Sequence, residues 1–396
     1  MGPQTNDGAS WPTPDQELLL RAALLEGDEA MQAWLDWRSG VEFDLLGRPS
    51  RRLLPLLYRN LRSLGVQDPL MSKLKRAYQS TWYRNQIRFR DMGKVLSSFH
   101  EVGIQTMVLK GVALALLHYE DPGLRPMGDG DVLVLTEQAP EAVELLASLG
   151  WRPRANESLL LTTRDFKVLL HAANFSRPDS AGIDLHWHVL DECGDDQADA
   201  DFWHHAVPVE VGGVKSSALS PTDQLLHLCV HGVAHNGAPR WVADAMVLLK
   251  KWQAEIDWDR LLSQARRRRL TLVLREALLY LRDRYKAEVP SVFLRSVELE
   301  PASAVERLEQ VARTRIGESA GPLQRLVLVW AAYLRRFDSR GETQRRVGFY
   351  SFAQRRSQLE GARQIPQYVI SRAAQTTRGL ASALWSKLTG RKGASR

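Results

Sequence analysis

The sequence predicts an α+β chain: a small sheet-bearing unit over residues 103–218 lies between a helical N-terminal region, residues 1–102, and a helical domain, residues 219–334, with a basic tail over 335–396. Two observations predict this. The apolar period is helical up to His100, shifts to short β-like runs from Gly103, and becomes helical again after Ser220. A chain of 396 residues is also too long for one average domain and long enough for two or three buried cores.

Residues 1–12 read as a loose leader. Thr13-Pro14-Asp15-Gln16 then forms a capping box with proline at the first helical position, and Leu18, Leu19, Leu20, Ala23 and Leu24 follow at helical spacing. Further helical patterns cover 31–37, 52–64 and 70–100, with no chemistry in them; a support or dimerisation surface is the simplest expectation. Past Gly103, β-like runs at 106–109 and 131–135 flank a helical stretch at 112–118, and 139–149 reads as an amphipathic helix. Residues 166–172 are a weaker strand candidate, 182–189 alternate as a half-buried strand should, and 207–211 is another strand turned by Gly212-Gly213. Ser220-Pro221-Thr222-Asp223 opens the next helix, and patterns over 224–235, 241–252, 258–268 and 272–284 continue it, with Pro290, Pro301 and Pro322 punctuating helices that end near Leu334. No internal repeat is found.

The formal charge of +7 is unevenly spread. Residues 335–396 hold 14 Lys and Arg against 3 Asp and Glu, whereas residues 1–334 hold 39 against 43. The tail's charge suits nucleic acid or an anionic membrane surface, although a tail that binds neither is the simpler expectation. Only Cys193 and Cys229 are present, without CxxC spacing, so a disulfide framework is not expected and a reducing cytoplasm is the natural home. Residues 1–14 lack the charged start and apolar core of a signal peptide, and the longest uncharged apolar run, 326–334, falls short of the roughly 18 residues a membrane span requires.

The chemistry concentrates in TMVLKG at 106–111 and MGDGDVLV at 127–134. This is a strand, turn, helix, strand order with two acids at the start of the second strand. Alternate strand residues share a face, so Asp129 and Asp131 are expected to present two carboxylates to one divalent cation. Like charges that close repel and demand a cation or a proton. Nucleotidyl transfer needs such a site: metal ions on the phosphate oxygens, positive charge on the leaving pyrophosphate, and an acceptor hydroxyl in line. A third acid activates that hydroxyl, and Asp184 is the candidate. Lys110, Gly111 and Arg125 are placed to hold a triphosphate.

LKG at 109–111, the 119–122 segment, RPMGDGDVLV at 125–134 and IDLHWH at 183–188 together resemble the polymerase-beta-like nucleotidyltransferase superfamily, nearest its bacterial branch of uncharacterised nucleotidyltransferases. The resemblance runs from about residue 70 to 255 and takes in HLCVHGVAH at 227–235 and WVAD at 241–244. It implies a mixed sheet with helices on one side and a helical domain closing over the acceptor. It matches Gly111 to the turn glycine, Asp129 and Asp131 to the metal pair, and Asp184 to the third acid. Two positions depart from the pattern: Val112 follows the turn glycine where serine or glycine is usual, and Gly130 separates the acids where an apolar residue is usual.

His227, His231 and His235 share a helical face, and His186 and His188 a strand face, but no HExxH is present and no zinc set is fixed. His186, His231 and Asp244 are candidate acceptor-site residues. The reading is therefore a magnesium-dependent enzyme with a two-metal site that moves NMP from an NTP to an unidentified hydroxyl acceptor. The alternative is a nucleotide-binding or interaction protein that keeps the fold without turnover.

Overall fold

The computed structural model describes residues 11–163, 166–178, 180–191, 193, 198–234, 239–314 and 322–337. Two compact units divide between Ser303 and Ala304. In the first, the helix Pro14–Leu24 begins at the expected capping box, with Thr13 and Gln16 each accepting the other's backbone N–H. Helices Gly27–Gly40, Leu54–Ser63 and the long Met71–Glu101 complete the N-terminal layer.

Among the described residues, seven strands form one mixed sheet: β1 (Thr106–Leu109), β2 (Gly130–Val134), β3 (Arg152–Pro153), β4 (Ala172–Ser176), β5 (Ile183–His186), β6 (Val207–Val211) and β7 (Val214–Ala218). Their order is β3-β4-β5-β2-β1-β7-β6. β1 runs antiparallel to β2 and parallel to β7, while β2 and β5 are parallel. The chain turns between β6 and β7 on Gly212 and Gly213, both at positive φ (57° and 83°), as a two-residue hairpin loop requires.

Alternation sorts the strands onto two faces. Val108, Val132, Val134, Ile183 and Leu185 pack against Met92, Val95, Leu96 and Phe99 of the long helix and against Ala142 and Leu146 of the helix Ala139–Ser148. Met107, Leu109 and Leu133 join the other cluster, built from the N-terminal helices and those after Ser220. Helices therefore cover both faces of the sheet, not one. The acids lie on the face shared with the second cluster.

Residues 166–172 are not a strand. Phe166–Leu169 is a short helix and the strand begins at Ala172. The Trp187 indole N–H donates to the carbonyls of Lys167 and Leu170, and Phe166 packs edge-on against the same ring at 5.0 Å. An apolar run whose carbonyls are met by an indole has no need of a strand neighbour. β3 and β7 carried too few patterned residues to be read in advance.

After β7, helices Pro221–Ala234, Arg240–Trp252, Trp258–Arg267, Thr271–Tyr285 and Ser291–Leu299 follow. The second unit contains helices Ala304–Thr314 and Pro322–Phe337. The basic tail beyond Phe337, with its patterned pieces, lies outside the described residues, as does His235. Among the described residues no helix is long and apolar enough to cross a membrane.

Candidate active site

The site forms where β1 turns into a helix beside β2 and β5. β1 ends at Leu109, and Lys110 takes φ +41°, a left-handed conformation that costs a lysine roughly 1–3 kcal/mol. This corner opens the helix Lys110–Ala113 and returns the Lys110 ammonium toward the sheet. Gly111 is needed for space: a Cβ there would lie 3.1 Å from Arg125 Nη1 and 3.2 Å from Met127 Sδ. Val112, the residue that departs from the superfamily pattern, is buried in the core.

The parallel β2–β5 register sets Asp131 beside Asp184 and Leu133 beside His186. Because β-strand side chains alternate, Asp131, Asp184 and His186 share one face, and their donor atoms lie within 4.8 Å of one another. Lys110 Nζ is 2.6 Å from Asp131 Oδ1 and 3.2 Å from His186 Nε2, which is itself 3.1 Å from Asp131 Oδ1. That imidazole nitrogen donates to the carboxylate in one tautomer and accepts from the ammonium in the other.

The charges explain one another. Burial opposes ionisation of Asp131, but the Lys110 ammonium and the His186 hydrogen bond outweigh it and hold the carboxyl well below the usual range. Asp184 goes the other way: burial first, then the negative charges of Asp131 and Asp129, push it up to about 7. Burial and the neighbouring Lys110 bring His186 down to about 4, so its ring is neutral at neutral pH. Two hard carboxylates and a neutral imidazole with converging lone pairs suit a divalent cation.

Asp129 sits just outside this group. β2 begins at Gly130, whose N–H donates to Gly182 O, so Asp129 precedes the strand and is exposed, although its charge still reaches Asp184. The glycine between the acids makes room for the long helix, since a Cβ at Gly130 would run into Met92 Cε.

The remaining sequence candidates separate. Arg125, expected at the phosphates, is 3% exposed and makes a two-pronged bond to Asp244, both contacts at 2.8 Å. Tyr119 donates to the same carboxylate at 2.8 Å. Asp244 thus orients an arginine, and only Nη1 of Arg125, near Gly111, lacks a partner. His231 stacks on His227 with ring centroids 5.2 Å apart.

Three arginines escaped the sequence reading: Arg52, Arg88 and Arg240. They gather around the loop 126–130. Burial lowers the proton affinity of each, and Asp129 is an acid whose charge pulls in the opposite direction for all three. No local motif marks them, because 188 positions separate the first from the last.

Residues 49–286 match a family described as uncharacterised nucleotidyltransferases. The chain belongs to this nucleotidyltransferase family. The stretch shared with the nucleotidyltransferase family takes in the whole sheet, the Lys110 corner, the acids and the three arginines. No curated protein and no solved structure matches the chain.

Proposed function

We propose that the chain is a magnesium-dependent enzyme of the bacterial cytoplasm that transfers a nucleoside monophosphate from an NTP to a hydroxyl acceptor. The observation that carries this reading is the convergence of Asp131, Asp184 and His186 at one strand pair, with Asp184 raised to about 7 by burial and its acidic neighbours. Such a cluster is costly unless a cation or a proton joins it.

Asp131 and Asp184, with Asp129 adjoining, are the residues that would hold the metal. When bound, magnesium supplies charge neutralisation on the triphosphate and polarises the acceptor hydroxyl. The chain's own groups supply the rest. Asp184 takes the hydroxyl proton on a carboxylate oxygen while the acceptor oxygen forms its bond to the α-phosphorus, and the bond to pyrophosphate breaks with its electron pair. Lys110 balances Asp131 and is proposed to contact the phosphates, as is the corner at Gly111, where the missing side chain leaves room for Arg125 and Met127. His186 and His231 are proposed at the acceptor side, and Asp244 supports it through Arg125.

The test is transfer of label from α-phosphate-labelled NTP, with Mg²⁺ and a pool of metabolites or protein, compared with Asp131→Ala. Transfer by the wild type, lost by at least about a hundredfold in the variant, is expected for a residue that would hold the metal. A second reading has its own observation. The Lys110 ammonium already serves as a cation between Asp131 and His186, as in a protein that binds nucleotide without turnover. NTP binding with no Asp131-dependent transfer selects that reading and sinks the first.

A further inference from the structure

We propose that Arg52, Arg88 and Arg240 form a cradle for the polyphosphate of a nucleotide, built over the loop that leads into the acids. The three come from separate elements. Arg52 caps the short helix Arg48–Arg51, and its Nη2 lies 3.6 Å from where a Cβ of Gly128 would stand. Arg240 is the first residue of its helix, with Nη1 3.5 Å from the carbonyl of Pro126. Arg88, one turn before Met92 on the long helix, lines a recess with Gly130, Gly182 and Ile183.

Each is half-buried, and among the described residues none forms an ion pair with a carboxylate. Arg88 Nε is buried without a partner. They also repel one another: the charge of Arg52 is felt by both Arg88 and Arg240. Among the described residues, three acids lie near them: Asp129 is exposed, Asp244 acts on Arg52 and Arg240 but is already paired with Arg125, and Asp91, in the recess with Arg88, is already paired with Arg90 and Lys94. Half-buried like charges without a carboxylate partner are unfavourable unless a polyanion joins them. Guanidinium groups recognise phosphate oxygens two at a time, and a tri- or diphosphate supplies the charge that three of them need. The loop 126–130 runs directly into β2, so a polyphosphate held there lies at the end of the strand that carries Asp131. A nucleic-acid backbone fits less well, because it tracks an exposed basic face, whereas these groups are partly buried beside acids.

The cradle rests on the nucleotidyltransferase reading only for the identity of the ligand. Calorimetric titration of the full chain with inorganic tripolyphosphate in EDTA tests it without turnover. Arg52→Gln, Arg88→Gln and Arg240→Gln are each expected to weaken binding about tenfold or more, and Arg52→Gln and Arg88→Gln to do so without lowering the melting temperature, since each removes a charge that has no carboxylate partner. Arg76→Gln, on the exposed side of the same long helix, is expected to bind as the wild type does.

Failure of the wild type to bind tripolyphosphate, unchanged binding in the triple variant, or an equal loss in Arg76→Gln overturns the cradle. Tighter binding of a single-stranded oligonucleotide, lost in the same variants, overturns it in favour of nucleic acid. The two readings fail separately. Cradle-dependent tripolyphosphate binding without any label transfer keeps the cradle and removes the transferase, whereas transfer with unchanged KM for NTP in the triple variant does the reverse.

Discussion

His118 is 2% exposed, and neither ring nitrogen has a hydrogen-bond partner. Burial first, then the charge of Lys251, pushes it down to about 4 against the opposite pull of Asp244. An unfolded histidine titrates near 6.5, so between these pH values the unfolded chain binds a proton that the native chain refuses. Stability contributed by the neutral ring is full above pH 6.5 and is lost as the pH falls toward 4, by roughly 3 kcal/mol. His118→Phe keeps a ring against Trp252 and removes the titration. Urea melts at pH 7 and pH 4 should show the acid loss reduced by about that amount, and an unchanged loss would assign it to other groups. At this scale the sequence made Lys110, Asp131, Asp184 and His186 legible, because each lies in a short motif whose strand periodicity fixes the face. It could not show that Asp129 stands before the strand, since the start of β2 depends on Gly130 pairing with Gly182 across the sheet.

Between elements, glycine sets how closely the long helix can approach the β6–β7 hairpin. A Cβ at Gly93 would come within 2.9 Å of the carbonyl oxygens of Val211 and Gly212, and one at Gly212 would meet the Phe89 carbonyl oxygen. Gly213 has the same left-handed backbone with open space around it. Gly213→Ala should therefore cost only conformational strain, about 1 kcal/mol. Gly212→Ala adds overpacking against backbone that cannot move aside, roughly 1–3 kcal/mol more. Chemical denaturation of the two variants measures the difference, and equal values would show that the helix does not bear on the hairpin. The turn was readable from Gly212-Gly213, but the helix behind it was not, because nothing near those glycines encodes Phe89.

Across the first unit, the Arg125–Asp244 pair joins the loop before β2 to the helix Arg240–Trp252. Both side chains are 3% exposed, so removing one partner leaves a buried, unpaired charge. Arg125→Met is expected to cost about 3–5 kcal/mol. Adding Asp244→Asn removes the stranded charge, leaves an oxygen for the Tyr119 hydroxyl, and should return most of that loss in a double-mutant cycle. Additive losses would show that the pair is not coupled. As an expected phosphate ligand, Arg125 was a reasonable inference from its place four residues before Asp129; its carboxylate partner 119 positions away was out of reach.

The sequence by itself determined the α+β order of elements and the Lys110 corner, and it marked Asp131 and Asp184 as acids on strands, all of which follow from local periodicity and short motifs; that these two acids stand side by side was decided by the β2–β5 register. Tertiary structure alone decided that His186 and Lys110 meet at Asp131, that Met92 takes the space Gly130 leaves, and that Arg52, Arg88 and Arg240 surround one loop. The physical reason is range. Periodicity fixes which way a side chain points within its own element, whereas contacts between distant elements arise only when the apolar faces pack, and no local pattern records them.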